Sequence, residues 1–393
     1  MNPSFTKSLS SSNTLDLVCF SHLRWNFVFQ RPQHLLSRAA KTFRVFYIEE
    51  TEYFAPTDSY KINLSEEGVW IVSLYLNDDG TSPDKLLRQK NLLNALFLKM
   101  NIHNYFFWYY TPMPIRYTTH FQPKAIVYDC MDELSNFKNP PVGLRDYEAQ
   151  LMSKADVVFT GGYSLYEAKK HKHHNIHPFP SSIDIEHFAV ARNIKNDPND
   201  QAAIPHPRIG FYGVIDERFN LKMIEEVARK KQEWQIILIG PICKIEKDLI
   251  PNYKNVHYLG SKTYQQLPNY LSGWDIAMIP FELNESTKYI SPTKTPEYLA
   301  AGKPVISTSI RDVVKPYNEK NLVYIADTAD EFIKAAEKEL SIKHKSQWLE
   351  KVDAFLCNNS WDITWNKMLQ HINDLLSKQP INFKTDKKEK VYV

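Results

Sequence analysis

The sequence predicts a two-domain α/β protein in which each domain has a doubly wound parallel sheet and the two domains face a common cleft. Short apolar runs of strand length alternate with longer segments of helical periodicity, which is typical of parallel α/β construction. The alternation occurs twice, and an aperiodic run rich in Asn, Asp and Pro, NDPNDQAAIPHPR, separates the two series. The chain of 393 residues is also too long for one ordinary hydrophobic core.

The first series spans residues 15–195 and follows a Ser-rich segment at 1–14 that we expect to be a disordered tail. Its strands are predicted at LDLVCFS, RVFYIEE, VWIVSLYL, YFFWYYT, AIVYDCMDE and ADVVFTGG. Helices are predicted at RPQHLLSRAAK, at DKLLRQKNLLNALFLKM and between the last two strands, because apolar residues recur there at helical spacing.

A linker is predicted at residues 196–207, and the second series occupies 208–358. Its strands are predicted at RIGFYGV, WQIILIG, NVHYLG, DIAMIPF, KPVIST and NLVYIAD, with helices at LKMIEEVARKK and TYQQLPNYLSG. Helical patterns continue to residue 378, including a terminal helix at 359–380, and residues 381–393 are predicted to be a solvated tail. Ligands of such sheets bind beyond the carboxyl ends of the strands, so we expect the chemistry at the strand-to-loop junctions.

The composition excludes some functions. With 48 basic and 45 acidic side chains the net charge is only +3, which gives no electrostatic case for nucleic acid but suits an anionic small molecule or a membrane surface. The chain shows no apolar run of bilayer-spanning length and no apolar segment of a signal peptide at its start, so we expect a cytoplasmic protein, with the inner face of the membrane as an alternative location. The four cysteines show no metal-ligand spacing and are predicted to be reduced core thiols: Cys19, Cys130, Cys243 and Cys357.

The stretch FELNESTKYISPTKTPEYLAAGKPVIS predicts a polar loop followed by a compact helix. Two starts for the helix remain open, either Thr295 as the N-cap or Ser291 with Pro292. Gly302 is expected to supply the left-handed residue that ends the helix. In either case the helix N-terminus points into the predicted cleft, where its free N–H groups favour a phosphate.

Lys294 and Glu297 lie at the mouth of this helix. Lys294 adds a full positive charge, while Glu297 has two acceptor oxygens suited to vicinal hydroxyls such as those of a ribose. Together they predict a site for a nucleoside diphosphate. The alternative from local features is that Glu297 complements the helix dipole and that Lys294 is solvated.

The segment TPEYLAAGKPVIST resembles the donor-site signature of retaining sugar-nucleotide glycosyltransferases with the GT-B architecture of two Rossmann-like domains. The resemblance continues through ADVVFTGGYSLYEAKK, FPSSIDIEHF and QQLPNYLSGWDIAMIPF. CFSHLRWNFVFQRPQHLLSR, FYGVIDERFN and IRDVV are similar to a bacterial branch associated with surface polysaccharide or teichuronic acid synthesis. The resemblance implies that the terminal helix crosses back to the first domain, anchored by Trp361 and Trp365.

The same resemblance implies a set of residues that bind the sugar nucleotide. Glu297 occupies the position of the Glu that binds the ribose, and Arg218 follows the first strand of the second domain, where a basic residue contacts the diphosphate together with Lys294. Asp216 and Glu217 beside Arg218 leave an ordinary surface ion pair open as the alternative. The remaining donor-binding residues implied are Gly213, Ser261, Asn284, Thr293 and Thr295.

One departure concerns the loop 282–289, which the resemblance assigns to the donor sugar. The family commonly has a second Glu eight positions before the ribose-binding one, and Tyr289 stands there in this chain. Glu282 or Glu285 from the same loop is a candidate substitute, and Glu285 joins Lys294 and Arg218 as an expected catalytic residue. The alternative is that these loop side chains only satisfy the loop backbone.

In the first domain, SHLRWNFVFQRPQHLL follows the first strand and predicts an acceptor site. Its candidates are His22, Arg24, Trp25 and Arg31, because arginines neutralise phosphate and an indole ring stacks on sugars. Simple packing of Trp25 is the alternative.

Two carboxylates, Asp129 and Asp132, end another strand and are candidates to orient an acceptor hydroxyl, with capping of the next turn by Asp132 as the alternative. The run HKHHNIH lacks a neighbouring Cys or carboxylate pattern and is not expected to bind metal.

The sequence therefore predicts a glycosyltransferase without cofactor or metal that moves a sugar from a nucleoside-diphosphate sugar to a cell-envelope glycan or lipid-linked acceptor, with retention. Peripheral contact with a membrane is a further expectation, and nucleic acid is not an expected partner. Two alternatives remain, a UDP-sugar 2-epimerase of the same architecture and a catalytically silent sugar-nucleotide binding protein, the latter because Tyr289 replaces the usual Glu.

Overall fold

The computed structural model describes residues 15–377, which form two α/β domains. The predicted tails and residues 378–380 lie outside the described residues. The chain begins with β1 (Asp16–Phe20), α1 (Arg31–Ala39), β2 (Arg44–Ile48), β3 (Ser59–Leu64), β4 (Val69–Tyr75), α2 (Lys85–Lys99), β5 (Tyr105–Tyr109), α3 (Ile115–Thr118), β6 (Ile126–Cys130), α4 (Leu144–Lys154), β7 (Val157–Thr160), α5 (Tyr163–Lys169), β8 (Ile176–Pro178), α6 (Ile185–Ala189) and α7 (Asn199–Ala202).

The second half of the chain adds a second set of elements. These are β9 (Arg208–Tyr212), α8 (Leu221–Lys230), β10 (Gln235–Ile239), β11 (Val256–Tyr258), α9 (Leu267–Ser272), β12 (Ile276–Ile279), α10 (Lys294–Ala300), β13 (Val305–Ser307), α11 (Arg311–Val314), β14 (Tyr324–Ile325), α12 (Ala329–Leu340), α13 (Ser346–Leu356) and α14 (Trp361–Ser377).

The first sheet has the strand order β3-β4-β2-β1-β5-β6-β7-β8, and all its pairs are parallel except β3 with β4. The six strands predicted for this domain are all present. They were recognisable because a sheet covered on both faces needs apolar side chains at nearly every position. Leu17 and Cys19 of β1 pack on one face, whereas Val18 and Phe20 pack on the other. Two strands were not predicted: β3 is an edge strand without an apolar run whose residues are half-exposed or exposed, and β8 has only three residues.

The second sheet is fully parallel, with the order β11-β10-β9-β12-β13-β14 around a single core. Ile183, Phe188, Ala191 and Ile204 belong to this core. The segment that carries α6 therefore packs on the second domain, whereas the prediction assigned it to the first. The predicted linker also contains the short helix α7.

The last helix, α14, returns to the first domain. Trp361, Trp365, Met368 and Ile372 join the core that covers one face of the first sheet. Within residues 15–377 no helix is long and apolar enough to cross a membrane.

The cysteine prediction holds only in part. All four thiols are free, and Cys19 and Cys130 are buried. Cys243 is half-buried and Cys357 is exposed just after α13, so the prediction of a core thiol is wrong for Cys357.

Candidate functional site

Two adjoining cavities lie between the domains at the carboxyl ends of the strands. The inner cavity, of about 160 Å³, is lined by residues that include Arg31, Asp132, Gly213, Arg218, Lys294 and Glu297. The outer cavity, of about 490 Å³, is lined by residues that include Trp25, Phe27, Gly240, Pro241 and Ser261. Phe29 of the first domain and Tyr212, Gly213 and Tyr264 of the second border both cavities, which therefore form one cleft.

The helix α10 presents its first turn to the inner cavity, but it begins elsewhere than predicted. Thr293, which lines the cavity, is the N-cap residue and makes no side-chain cap hydrogen bond. Thr295 lies inside the helix and is fully buried, so its prediction as a cap and as a ligand-binding residue is corrected. Gly302, with φ of +72°, follows the helix as predicted.

Lys294 extends across the backbone of Gly213. A Cβ on Gly213 would lie 2.2 Å from Cε of Lys294, and the φ of Gly213 is +139°, so the position suits only glycine. The Lys294 ammonium lies 5.6 Å and 5.9 Å from the ring centroids of Phe211 and Phe281. It makes no hydrogen bond or ion pair within residues 15–377. Burial lowers its pKa to about 8. An anionic ligand would supply the missing partner.

Glu297 forms the neighbouring wall of the inner cavity and is 5% exposed. The Tyr212 hydroxyl donates a hydrogen bond to its Oε2 over 2.5 Å. Burial raises the pKa of Glu297 to about 7, against the opposing effects of the Tyr212 hydrogen bond and of Lys294. Its Oε1 has no partner among the described residues, so this oxygen can accept a hydrogen bond from a ligand hydroxyl.

The sequence left two roles open for Arg218, a contact with the diphosphate and an ion pair with a neighbouring carboxylate, and the structure shows the ion pair in a position that lines the cleft. Asp216 binds its guanidinium through Nε at 2.9 Å and Nη2 at 2.6 Å. The same guanidinium lines the inner cavity and lies 5.3 Å from the ring centroid of Phe137 in the first domain. The ion pair therefore holds Arg218 at the cleft.

The two predicted carboxylates of the first domain have different environments. Asp129 is fully buried and forms a bidentate ion pair with Arg31, at 3.0 Å to Nε and 2.8 Å to Nη2. Arg31 also donates from Nη1 to the Phe179 carbonyl at 2.7 Å. This pair joins α1 to β6 within the first domain. Asp129 lines neither cavity, contrary to its prediction as a residue that orients the acceptor. Asp132 is half-buried in the inner cavity wall, and burial raises its pKa to about 6 against the attraction of Arg218, Arg31 and Lys294.

Two other predicted acceptor residues lie away from the inner cavity. Trp25 is 4% exposed and packs edge-on against Tyr47, with ring centroids 5.0 Å apart, so it has a packing role rather than the predicted role of stacking on a sugar. Arg24 pairs with Glu49 at 3.1 Å and Glu52 at 3.3 Å.

The loop 282–289 is arranged differently from the prediction. Glu285 is exposed, pairs with Lys288 at 3.4 Å and borders a separate groove that shares no lining residue with the two cleft cavities. The Asn284 side chain accepts hydrogen bonds from the backbone N–H groups of Ser286 and Thr287, so it satisfies its own loop. The structure thus places neither side chain in the cleft.

Aromatic residues of the cleft were missed by sequence reasoning. Tyr264 stacks on Phe29 of the first domain at 4.5 Å and on His187 at 4.2 Å. Tyr212 holds Glu297. These contacts join residues distant in the chain, and no local pattern signals them. In the run HKHHNIH, His173 lies with Nε2 2.9 Å from the Ala155 carbonyl and with Nδ1 3.1 Å from the Asn175 backbone N–H, and the ring of His177 stacks on that of His371. Residues 15–377 contain no group of three or more potential metal ligands.

Comparison with known proteins agrees with this geometry. Residues 206–341 match a family model described as glycosyl transferases group 1. Sucrose-phosphate synthase from Thermosynechococcus elongatus superposes with a TM-score of 0.69, at 14% identity over 93% of this chain and 100% of that one. The Anabaena protein HepE, solved with UDP and glucose, gives 0.64 at 14% identity over the same shares.

Residues 206–341 thus carry a glycosyltransferase group 1 domain, and the chain as a whole has the two-domain GT-B fold. Among curated proteins, it is similar to the putative teichuronic acid biosynthesis glycosyltransferase TuaH of Bacillus subtilis strain 168. The identity is 22% over 268 residues, which cover 63% of this chain and 66% of the relative. The aligned part thus spans just under two thirds of that relative.

Proposed function

We propose that this protein transfers a sugar from a nucleoside-diphosphate sugar to a cell-envelope glycan or lipid-linked acceptor, with retention and without a metal ion. The observation that carries the proposal is that the Lys294 ammonium, in the cleft wall, has no acceptor among residues 15–377 and lies beside a glycine that leaves room for it. A diphosphate supplies the negative charge that this cation lacks.

The donor would occupy both cavities of the cleft. Glu297 would accept hydrogen bonds from the ribose hydroxyls through Oε1, while Lys294 and Arg218 bind the diphosphate in the inner cavity. The nucleoside would extend into the outer cavity, past Gly213 toward Ser261. The match of residues 206–341 to the group 1 family supports this assignment, because all these residues lie in the matched part.

Catalysis would come from stabilising the charge that develops on the departing diphosphate. Lys294 and Arg218 bring two positive charges to the inner cavity, which supports stabilisation of the leaving group without a divalent cation. In a retaining transfer the acceptor attacks from the face that the diphosphate leaves, so a diphosphate oxygen can take the acceptor proton. Asp132 would then orient the acceptor hydroxyl from its position across the cleft from Arg218, and it would not be required as a base.

The cell-envelope acceptor rests on the similarity to TuaH, whose description names teichuronic acid biosynthesis. HepE was solved with UDP and glucose, and an Escherichia coli neighbour with a TM-score of 0.66 was solved with UDP-2-fluoro glucose. These titles support a nucleoside-diphosphate sugar as the donor.

A thermal-shift screen tests the donor assignment. The wild type should gain melting temperature with the nucleoside-diphosphate sugars of one base and gain less with the matching nucleoside, because ligand binding stabilises the native state. Arg218→Gln should reduce the gain, whereas Arg229→Gln, which changes an exposed arginine of α8, should leave it unchanged. A panel without any shift, or equal shifts for both variants, would contradict the proposed donor site.

A further inference from the structure

A third cavity, of about 210 Å³, lies within the first domain at the carboxyl ends of β1, β2 and β5. Its walls include His22, Glu50, Tyr53, Gln89, Arg116 and Tyr117. It shares no lining residue with the inner or the outer cavity. His22, a predicted acceptor residue, therefore belongs to a separate pocket, which we call the first-domain pocket.

Two buried nitrogen atoms of this pocket lack partners. Nε of Arg116 and Nδ1 of His22 make no hydrogen bond with any residue that the structure describes. The Arg116 guanidinium lies 5.3 Å from the ring centroid of Tyr147, and it forms no ion pair within the part of the chain that the structure describes. Native proteins rarely bury polar groups without a partner, so the wall around these two atoms is incompletely satisfied. The terminal nitrogens of the Arg116 guanidinium, which have no hydrogen-bond partner within residues 15–377, are the donors that a ligand can reach.

The carboxylates of the pocket do not neutralise Arg116. Glu49 is already occupied by Arg24 at 3.1 Å, by the Ser73 hydroxyl at 2.8 Å and by the backbone N–H of Trp25 at 2.9 Å. Glu50 is exposed, and no ion pair joins it to Arg116 within 4 Å. Arg116 is thus a guanidinium with a free fork of donors, which matches a carboxylate or a phosphate.

The remaining lining suits a sugar ring. Tyr53 and Tyr117 provide aromatic surface, and the Gln89 amide, which donates to the Thr51 hydroxyl at 2.8 Å, adds a polar group to the wall. Burial lowers the pKa of His22 to about 4, so its imidazole is neutral and offers one donor and one acceptor.

The pocket also lies near the second domain. The charge of Lys244 contributes to the low pKa of His22. The Lys244 ammonium lies 5.5 Å from the ring centroid of Phe137, and the Arg218 guanidinium lies 5.3 Å from the same centroid. The His22 end of the pocket therefore lies on the side of the first domain that is close to Lys244 of the second domain.

We infer that the first-domain pocket binds a sugar unit of the acceptor that carries a carboxylate or a phosphate, and that Arg116 determines this specificity. The inference rests on the proposed transfer reaction, since it names the acceptor of that reaction. A neutral sugar would leave the Arg116 fork unpaired, whereas an anionic sugar would satisfy it and place hydroxyls against Gln89 and His22.

Calorimetric titration of the full chain tests the inference with three probes: methyl glucuronide, glucose 6-phosphate and methyl glucoside. The wild type should bind at least one anionic probe about tenfold or more tighter than the neutral one, as expected for charge-assisted hydrogen bonds. Whichever of the two anions binds tighter identifies the source of the charge. Arg116→Gln should remove the preference, and Arg116→Lys, which keeps the charge without the fork, should retain part of it. The matched control Arg229→Gln should keep the full preference.

Equal binding of neutral and anionic probes by the wild type, or a preference that survives in Arg116→Gln, would overturn the inference. The affinity of the second domain for nucleoside diphosphate, measured on the same samples, should be the same in Arg116→Gln and in the wild type. A chain that keeps the anion preference but binds no nucleoside diphosphate would refute the proposed function and leave the pocket assignment standing. A chain that binds nucleoside diphosphate but shows no anion preference would refute the pocket assignment and leave the proposed function standing.

Discussion

Replacing Glu297 with Gln should stabilise the ligand-free protein at alkaline pH while weakening nucleotide binding. The carboxylate is buried in the cleft wall, and folding makes its ionisation more costly, as shown by a pKa raised from 4.5 to about 7. A Gln side chain keeps the shape and can still accept the Tyr212 hydrogen bond, but it carries no charge to be desolvated.

The size of the effect follows from the pKa shift. In the unfolded chain the carboxyl ionises around pH 4.5, whereas in the folded protein it stays protonated until about pH 7. The stability that protonation contributes is fully present below pH 4.5 and is lost as the pH rises through 7. Between a pKa of 4.5 and one of about 7, at 1.36 kcal/mol for each step of one in pKa, ionising Glu297 costs the folded protein about 3 kcal/mol. The attraction of Lys294 is already contained in this pKa, so the figure is the net cost of ionising Glu297 in the folded protein.

Urea unfolding of both proteins at pH 4.5 and pH 8 measures this difference. The two free energies of unfolding should agree at pH 4.5, and Glu297→Gln should be the more stable at pH 8. Glu319→Gln, an exposed control, should differ from the wild type by less than about 0.5 kcal/mol at either pH. Nucleotide affinity of Glu297→Gln should fall about tenfold. A variant that is less stable at pH 8, or that binds nucleotide as the wild type does, would refute this reasoning.

Three other substitutions test the cleft. Lys294→Ala should lose about tenfold or more in affinity for a nucleoside diphosphate but little for the nucleoside in calorimetric titrations, and equal losses would make Lys294 structural. Gly213→Ala puts a Cβ 2.2 Å from the Lys294 side chain and should lower diphosphate affinity and melting temperature together, so unchanged binding would contradict the predicted clash. Asp312 of the second domain accepts a hydrogen bond from the Ser164 backbone of α5 at 3.0 Å, and a Cβ on Gly162 would lie 2.1 Å from Oδ2 of Asp312. Gly162→Ala should therefore open the domains and increase the radius of gyration in X-ray scattering, whereas an unchanged radius would show that the contact does not hold the cleft closed.

The two-domain fold was predictable because buried parallel strands carry an apolar side chain at almost every position. The strand β3 escaped prediction for the opposite reason: it is an antiparallel edge strand whose residues are half-exposed or exposed. The segment of α6 was assigned to the wrong domain, since its apolar residues show that it packs but not on which of two sheets.

The residues of the candidate site were predictable only where they are neighbours in the sequence and share one structural element. Lys294 and Glu297 share the first turn of a helix that follows a strand end, so one motif brings both to the cleft. Asp129 lies one strand position from the same edge, yet its partner is Arg31, 98 residues earlier in the chain. Contacts of this length, like the stacking of Tyr264 on Phe29, depend on how the domains pack and leave no signal in neighbouring residues.

Turnover of a nucleoside-diphosphate sugar by the full chain tests the central claim most directly. The reaction would be followed by NMR in the presence of EDTA, with a cell-envelope fraction as the source of acceptor. We predict that the anomeric signal of the donor disappears only when acceptor is present, that nucleoside diphosphate is released, and that the product keeps the anomeric configuration of the donor. Epimerisation of the donor sugar without acceptor, an inverted product, or turnover that returns only when Mg²⁺ is added would contradict the account.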